Sequence, residues 1–192
     1  MNLDRFPRID LCHVPTPLEF MPRLTQHLGG PQIWIKRDDC TGMALGGNKA
    51  SKLEFLLGEA LQQGADHLVT LGALQSNHVR QTAAAAERLG LACTVILEHR
   101  HPNPDYAYLH NGNMLLDGLL GAEIVNCPGG TDMPAALRQV GDQLRAKGHR
   151  PYLIPSGGSN PLGTLGYVKA AQELLLQAQE KKFAPDHVVV AS

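Results

Sequence analysis

From residue 49 onward, apolar segments of strand length alternate with segments of helical period, and glycines close most of the helices. Ala50, Leu53, Leu56, Leu57, Ala60 and Leu61 recur at helical spacing, with Gly64 as the stop. Residues 67–71 read as a strand, 77–89 as a helix capped by Ser76 and ended by Gly90, and 92–97 as a strand. The rhythm continues with a helix over 112–120 stopped by Gly121, a strand over 123–127, a helix over 133–147 stopped by Gly148, a strand over 151–154 and a long helix over 163–182. A last strand is expected over 187–191, where the run of valines suggests burial on both faces. Strands separated by helices of this length make a parallel, doubly wound sheet, so an α/β fold with helices on both faces of an open parallel sheet is expected. Residues 1–39 are rich in proline and irregular, apart from a short strand over 33–36.

Composition narrows the function. The chain has 192 residues, 43% of them hydrophobic, and a formal net charge of -1. That is a globular balance with nothing to attract nucleic acid or an anionic membrane. Cys12, Cys40, Cys93 and Cys127 lie far apart without a C-x-x-C spacing, so neither a zinc site nor a redox motif is expected, and a reducing cytoplasm fits. The histidines are scattered, and His99-Arg100-His101 reads as a surface loop rather than a metal site. The amino-terminal residues lack the apolar run of a signal peptide, and no stretch approaches a membrane span.

The chemistry concentrates in loops between elements. Gly46-Gly47-Asn48-Lys49 places a lysine at the mouth of a helix. The amino end of a helix is partially positive and disfavours a cation, and a neutral amine is what condenses with a carbonyl. The glycines permit close backbone approach, and Asn48 is placed to cap the helix. Gln75-Ser76-Asn77-His78 lies between a strand and a helix start, where free N–H groups can hold an anion such as a carboxylate. Ser156-Gly157-Gly158-Ser159-Asn160 is a second strand-to-helix turn. A phosphate-binding P-loop does not fit, because Asn48 stands where its lysine belongs and Ala50 follows Lys49. No Gly-x-Gly-x-x-Gly opens a helix after a strand, and Gly-x-Ser-x-Gly is absent. A lysine in a glycine loop beside an anion site at helix starts is the equipment for pyridoxal phosphate.

Several segments together carry a family resemblance: Pro15-Thr16-Pro17-Leu18, Ile35-Lys36-Arg37-Asp38-Asp39, Gly46-Gly47-Asn48-Lys49, the run from Gln75 to Thr82, Asn111-Gly112-Asn113 and the run from Ile154 to Asn160. Over essentially its whole length the chain resembles the D-cysteine desulfhydrase and aminocyclopropane-carboxylate deaminase family of fold type II pyridoxal-phosphate enzymes, which includes L-cysteate sulfo-lyase. The resemblance implies a tryptophan-synthase-β-like fold and a carbon–sulfur lyase of amino-acid metabolism. Lys49 would join the cofactor and then move the substrate's Cα proton. Asn77 would bond the cofactor's phenolic oxygen. Ser76, Asn77 and His78 would hold the substrate carboxylate, with Ser76 close to proton transfer. Lys52, one turn on, is a second amine, but Lys49 matches the family position.

The resemblance also implies an organisation. Residues 1–58 would begin the large domain, 59–163 would form the small α/β domain, and 164–192 would return to the large one. A cytoplasmic homodimer acting on a small amino acid is implied, with no metal. Ser51 departs from the family pattern, which carries arginine there. A glycine-rich phosphate loop is expected from about Ser192, so the chain reads as truncated, with its second domain incomplete. D-cysteine desulfhydration is the leading expectation, and His78 favours it over aminocyclopropane-carboxylate deamination. L-cysteate sulfo-lyase and an inactive fragment or binding module are the alternatives.

Overall fold

The computed structural model of the chain describes residues 2–190. A two-stranded antiparallel ribbon comes first, β1 (Leu18–Phe20) against β2 (Trp34–Lys36), joined through helix α1 (Pro22–Leu28). Pro22 opens α1, a left-handed Gly29 closes it, and none of its residues is buried. A helix without a buried face has no apolar period, which is why this one was not anticipated.

The alternating part follows: α2 (Lys49–Gln62), β3 (His67–Ala73), α3 (Asn77–Leu89), β4 (Ala92–His99), α4 (Tyr106–His110), α5 (Asn113–Leu119), β5 (Glu123–Pro128), α6 (Met133–Ala146), β6 (Pro151–Ile154) and α7 (Pro161–Glu180). Strands β3 to β6 form one parallel sheet in the order β5-β4-β3-β6. Leu68, Val95 and Leu97 pack with α2 and α3, where Ala83 to Ala86 let α3 lie close to the sheet. Val69, Leu71 and Ile96 pack on the other side with Met133, Leu137 and Leu144 of α6. Helices therefore cover both faces, as expected of an open parallel sheet.

The strand order fixes where a ligand belongs. From β3 the chain moves through β4 to β5 in one direction, and β6 then returns to the other side of β3. The carboxyl ends of β3 and β6 flank that reversal, and open α/β sheets bind ligands at such a switch point.

The strand expected over 187–191 is not found over its described part. Residues 187–190 have no regular structure, and Val189 is 96% exposed. A β-branched run becomes a strand only beside a partner, and no described strand pairs with it. Ala191 and Ser192, where the phosphate loop was expected to begin, lie outside the described residues.

Helix α2 is fixed by one carboxylate. Glu54, 1% exposed, accepts from Arg8 Nη1 at 2.9 Å, from the N–H groups of Leu11 and Cys12 at 3.1 Å each, and from Lys169 Nζ of α7 at 2.7 Å. Burial opposes its charge, but the Lys169 ammonium and the two N–H groups hold it below the usual carboxylate range. Two glycines permit the close packing around it: a Cβ on Gly58 would lie 2.5 Å from the Pro7 backbone, and one on Gly166 would lie 2.2 Å from Ser51 O. A buried pair that loses one partner is strongly destabilised. Glu54→Gln keeps the shape and removes the charge, so it should lower the unfolding free energy in a urea titration by about 2–4 kcal/mol, Arg8 and Lys169 being partly hydrated. A loss below about 1 kcal/mol would show that neutral hydrogen bonds suffice at this position.

Candidate active site

The loop before α2 is wound through the left-handed region. Gly42, Ala44, Leu45, Gly46 and Gly47 all have positive φ, including two non-glycine residues. Such backbone persists only when its surroundings over-determine it. The guanidinium of Arg80 donates to the carbonyls of Ala44 and Gly46. The Thr41 hydroxyl accepts from Gly47 N at 2.8 Å and donates to Gly47 O at 2.9 Å. Gly46 is required by the protein's own backbone, since a Cβ there would lie 1.8 Å from Asp39 O, and a Cβ on Gly47 would lie 2.5 Å from Gln81 Nε2.

Asn48 does not cap α2 as expected. Its backbone is already helical, and its side chain makes no cap bond. Gln81 Oε1 takes the Ala50 N–H instead, at 2.8 Å. The Asn48 carboxamide donates to Tyr167 Oη of α7 and accepts from Lys49 Nζ at 3.2 Å. Tyr167 thus anchors the amide that receives the lysine, an arrangement with no local signal in the sequence.

At the carboxyl end of β3, Ser76 caps α3 by accepting the Val79 N–H at 3.3 Å, as expected. The N–H groups of Asn77 and His78 find no acceptor among the described residues, which leaves the helix mouth open to an anion. The His78 ring turns away from that mouth. It is 3% exposed and its Nε2 lies 2.9 Å from Thr70 Oγ1, whose hydroxyl donates to Ile154 O at 3.1 Å. With the Thr70 hydrogen committed to a carbonyl, His78 must donate from Nε2, and its Nδ1 is left without a partner. Burial, with the Lys49 and Lys52 charges, pushes His78 down to about 3, so the ring is neutral. At this mouth His78 offers its backbone N–H rather than a cationic side chain.

The turn after β6 faces the same place. Lys52 Nζ donates to Gly157 O at 3.2 Å and to Ser159 Oγ at 2.9 Å, and lies 5.6 Å from the Tyr167 ring centre. Burial and then the neighbouring Lys49 charge lower its pKa. A Cβ on Gly157 would lie 3.9 Å from Lys49 Cε, and one on Gly158 would lie 3.4 Å from His78 Cε1. The start of α2, the start of α3 and the 156–159 turn therefore meet at the switch point, which brings the sequence-predicted residues together.

The sequence profile of the pyridoxal-phosphate dependent enzymes matches residues 9–192. The chain belongs to that family. D-cysteine desulfhydrases from Klebsiella pneumoniae subsp. pneumoniae and Serratia proteamaculans are 52% and 53% identical to it over 191 residues. Each alignment covers 100% of this chain and 58% of the relative, so the chain spans under two thirds of the length of these curated relatives. A crystal structure of an ACC deaminase homologue matches with a TM-score of 0.83 at 39% identity, over 91% of this chain and 52% of that one. A T.th. threonine deaminase matches with a TM-score of 0.65 at 24% identity, over 88% of this chain and 48% of that one, a likeness of fold alone.

The residues present fit the cofactor of a pyridoxal-phosphate dependent enzyme. An amine stands at Lys49, and the Asn77 carboxamide is exposed with its oxygen already engaged by Asn113 Nδ2 at 3.0 Å, leaving donors outward. Among the described residues no cluster of metal ligands competes for the place.

A buried carboxyl on α5 stands behind the loop. Asp117 is 0% exposed, and neither of its oxygens has a hydrogen-bond partner. Burial pushes it up to about 7 against the pull of Arg80. In the unfolded chain an aspartate titrates at about 4. The folded value is the higher one, so this contribution to stability is full below about pH 4 and is lost as pH rises through about 7. Asp117→Asn should remove that decline, worth at most about 1.4 kcal/mol per pH unit, from urea titrations between about pH 5 and about pH 7.5. An unchanged slope would mean that Asp117 is ionised throughout.

Proposed function

We propose that the protein is a pyridoxal-phosphate-dependent carbon–sulfur lyase that converts D-cysteine to pyruvate, sulfide and ammonia. The observation that carries the reading is the convergence of the Lys49 amine, the outward donors of Asn77 and the open N–H groups of α3 at the sheet's switch point. The two desulfhydrases at 52% and 53% identity supply the substrate class.

When bound, pyridoxal phosphate withdraws electrons from the substrate Cα through its pyridinium ring. Lys49 would hold it through the side-chain amine, and the same amine would serve as the general base at the substrate Cα. Asn77 would donate to the phenolic oxygen of the cofactor, its own oxygen being taken by Asn113. The N–H groups of Asn77 and His78, with the Ser76 hydroxyl, take the substrate carboxylate at the positive end of α3. Ser76 Oγ already accepts the Val79 N–H, so its own hydrogen is free to donate and to assist the proton's movement. Departure of sulfide from Cβ leaves aminoacrylate, which takes up one water to give pyruvate and ammonia.

Deamination of aminocyclopropane-carboxylate is the second reading, favoured by the 39% identical ACC deaminase homologue. The buried His78 ring does not face the mouth, so it reaches substrate choice only through the packing beneath the site. L-cysteate sulfo-lyase and an inactive binding module remain the other outcomes. Residues 59–163 are proposed as the small domain, supported by a sheet contained within them. Residues 1–58 and 164–192 are assigned to the large domain. A homodimer is proposed by resemblance, and a reducing cytoplasm is supported by cysteines that are all unpaired among the described residues. No helix of the described residues is long and apolar enough to cross a membrane.

Borohydride trapping with pyridoxal phosphate should give one adduct, on Lys49, by peptide mapping. Labelling of Lys52, or labelling spread over surface lysines such as Lys147, would reject the assignment. Sulfide release from D-cysteine should fall at least about 10³-fold in Lys49→Ala, which loses both the covalent anchor and the base. Sulfite from L-cysteate or oxobutyrate from aminocyclopropane-carboxylate, in place of sulfide, would select one of the rival substrates.

A further inference from the structure

Asn77 is useful to a cofactor oxygen only if its carboxamide presents nitrogen. The two ends of a carboxamide have the same shape, so its neighbours decide the orientation. Here the decision can be traced to backbone groups, whose polarity is fixed. Gln75 Nε2 contacts two carbonyls, Tyr108 O at 2.6 Å and Asn111 O at 3.0 Å, so that end must be the donor. Its other end, Oε1, accepts the Asn113 N–H at 2.9 Å. Asn113 Nδ2 contacts the Gln75 carbonyl at 2.9 Å, which fixes this nitrogen as a donor as well. Its second hydrogen goes to Asn77 Oδ1 at 3.0 Å. Both hydrogens of Asn113 are then spent, and Asn77 must turn its own N–H groups away from Asn113. Gly112 makes room for the arrangement, since at its φ of +60° a Cβ would lie 2.7 Å from Gln75 Oε1.

We propose that Asn113 is a positioning residue that locks the Asn77 carboxamide with its N–H groups toward the cofactor's phenolic oxygen. The proposal rests on the pyridoxal-phosphate reading of the site and deepens it. Asn113 acts through its bond to Asn77. It acts by removing the flipped state, in which oxygen would face oxygen and the donor would be lost.

The sharpest variant is Asn113→Asp, which keeps the shape and exchanges two donors for acceptors. Asn77 should then turn its N–H groups inward to the new carboxylate. Affinity for pyridoxal phosphate should weaken about tenfold, as for a lost hydrogen bond to a charged group. Asn77→Ala should lose a similar factor, and adding Asn113→Asp to it should cost little more. Asn113→Ala, which introduces no charge, should fall between the wild type and Asn113→Asp. Equal losses from Asn113→Asp with and without the Asn77 side chain would overturn the proposal, because the effect would then run through the loop. Retained affinity in Asn113→Asp would overturn it as well.

A cofactor-free measurement separates this inference from the reading beneath it. In the wild-type chain, side-chain amide hydrogens should exchange slowly at Asn113 and fast at Asn77 by NMR. In Asn113→Asp the Asn77 hydrogens should become protected. If the wild-type chain takes up no pyridoxal phosphate while this exchange pattern holds, the cofactor reading fails and the orienting role of Asn113 stands. Unprotected Asn113 hydrogens in the wild-type chain would remove the orienting role itself.

Discussion

The buried carboxylate of Glu54 governs the placement of everything at the site. Taking a charge out of water costs several kcal/mol unless donors replace the water, and here they come from two separate parts of the chain. Arg8 and the N–H groups of Leu11 and Cys12 bring the amino-terminal segment, and Lys169 brings α7. Because these partners converge on one side chain of α2, the helix cannot turn about its axis or slide without breaking several of them together. Lys49 and Lys52 stand on that same helix. Their direction is therefore set largely by a residue that does not face the site, and the strained loop ahead of Lys49 needs only to meet a helix already in position.

The parallel sheet does the rest. Loops 75–78 and 156–159 are far apart in the chain and become neighbours because β3 and β6 are adjacent. Thr70 and His78 join them: the ring donates to the hydroxyl, and the hydroxyl donates to the last carbonyl of β6. A protonated His78 would place a third positive charge beside Lys49 and Lys52 in a region shielded from water. The same burial and repulsion that push it down to about 3 keep it a neutral structural donor. Its position at a helix start invites a role on an anion, but the charges around it leave that role to its N–H.

What could be read from the chain itself follows the range of the forces involved. Helix α3 matches its expected span because apolar period, Ser76 cap and Gly90 stop are all local. The central strands β3 and β4 were legible as apolar runs, since burial on both faces removes alternation. Helix α1 and the short α4 have no buried residues and left no periodic trace. The valine run at 188–190 shows the opposite failure, a strand propensity with no described strand beside it. Lys49, Ser76 and Asn77 could be named from their motifs. Tyr167, Arg80 and Gln81 could not be given roles, because the groups they bond lie tens of residues away, and the same long range hid the failure of Asn48 to cap.

The site therefore consists of reactive groups whose hydrogen-bond polarity is imposed from behind. The Lys49 amine takes the oxygen of Asn48 and leaves its N–H to Tyr167, while Thr70 takes the hydrogen of His78. In each case a group with two orientations of similar shape is left with one. Each such choice removes a state in which a donor would meet a donor, and that is preorganisation in the sense that matters for catalysis. The cost is visible beside it: His78 Nδ1, Arg80 Nε and both oxygens of Asp117 are buried without partners, each a penalty of the order of 1–3 kcal/mol. His78 Nδ1 and Arg80 Nε belong to the first turns of α3, while a fifth such atom, His67 Nδ1, sits on β3 within the sheet. The expense at Arg80 and His78 falls on groups that brace the loop before α2 and tie the start of α3 to β6, as expected where polar groups serve a site.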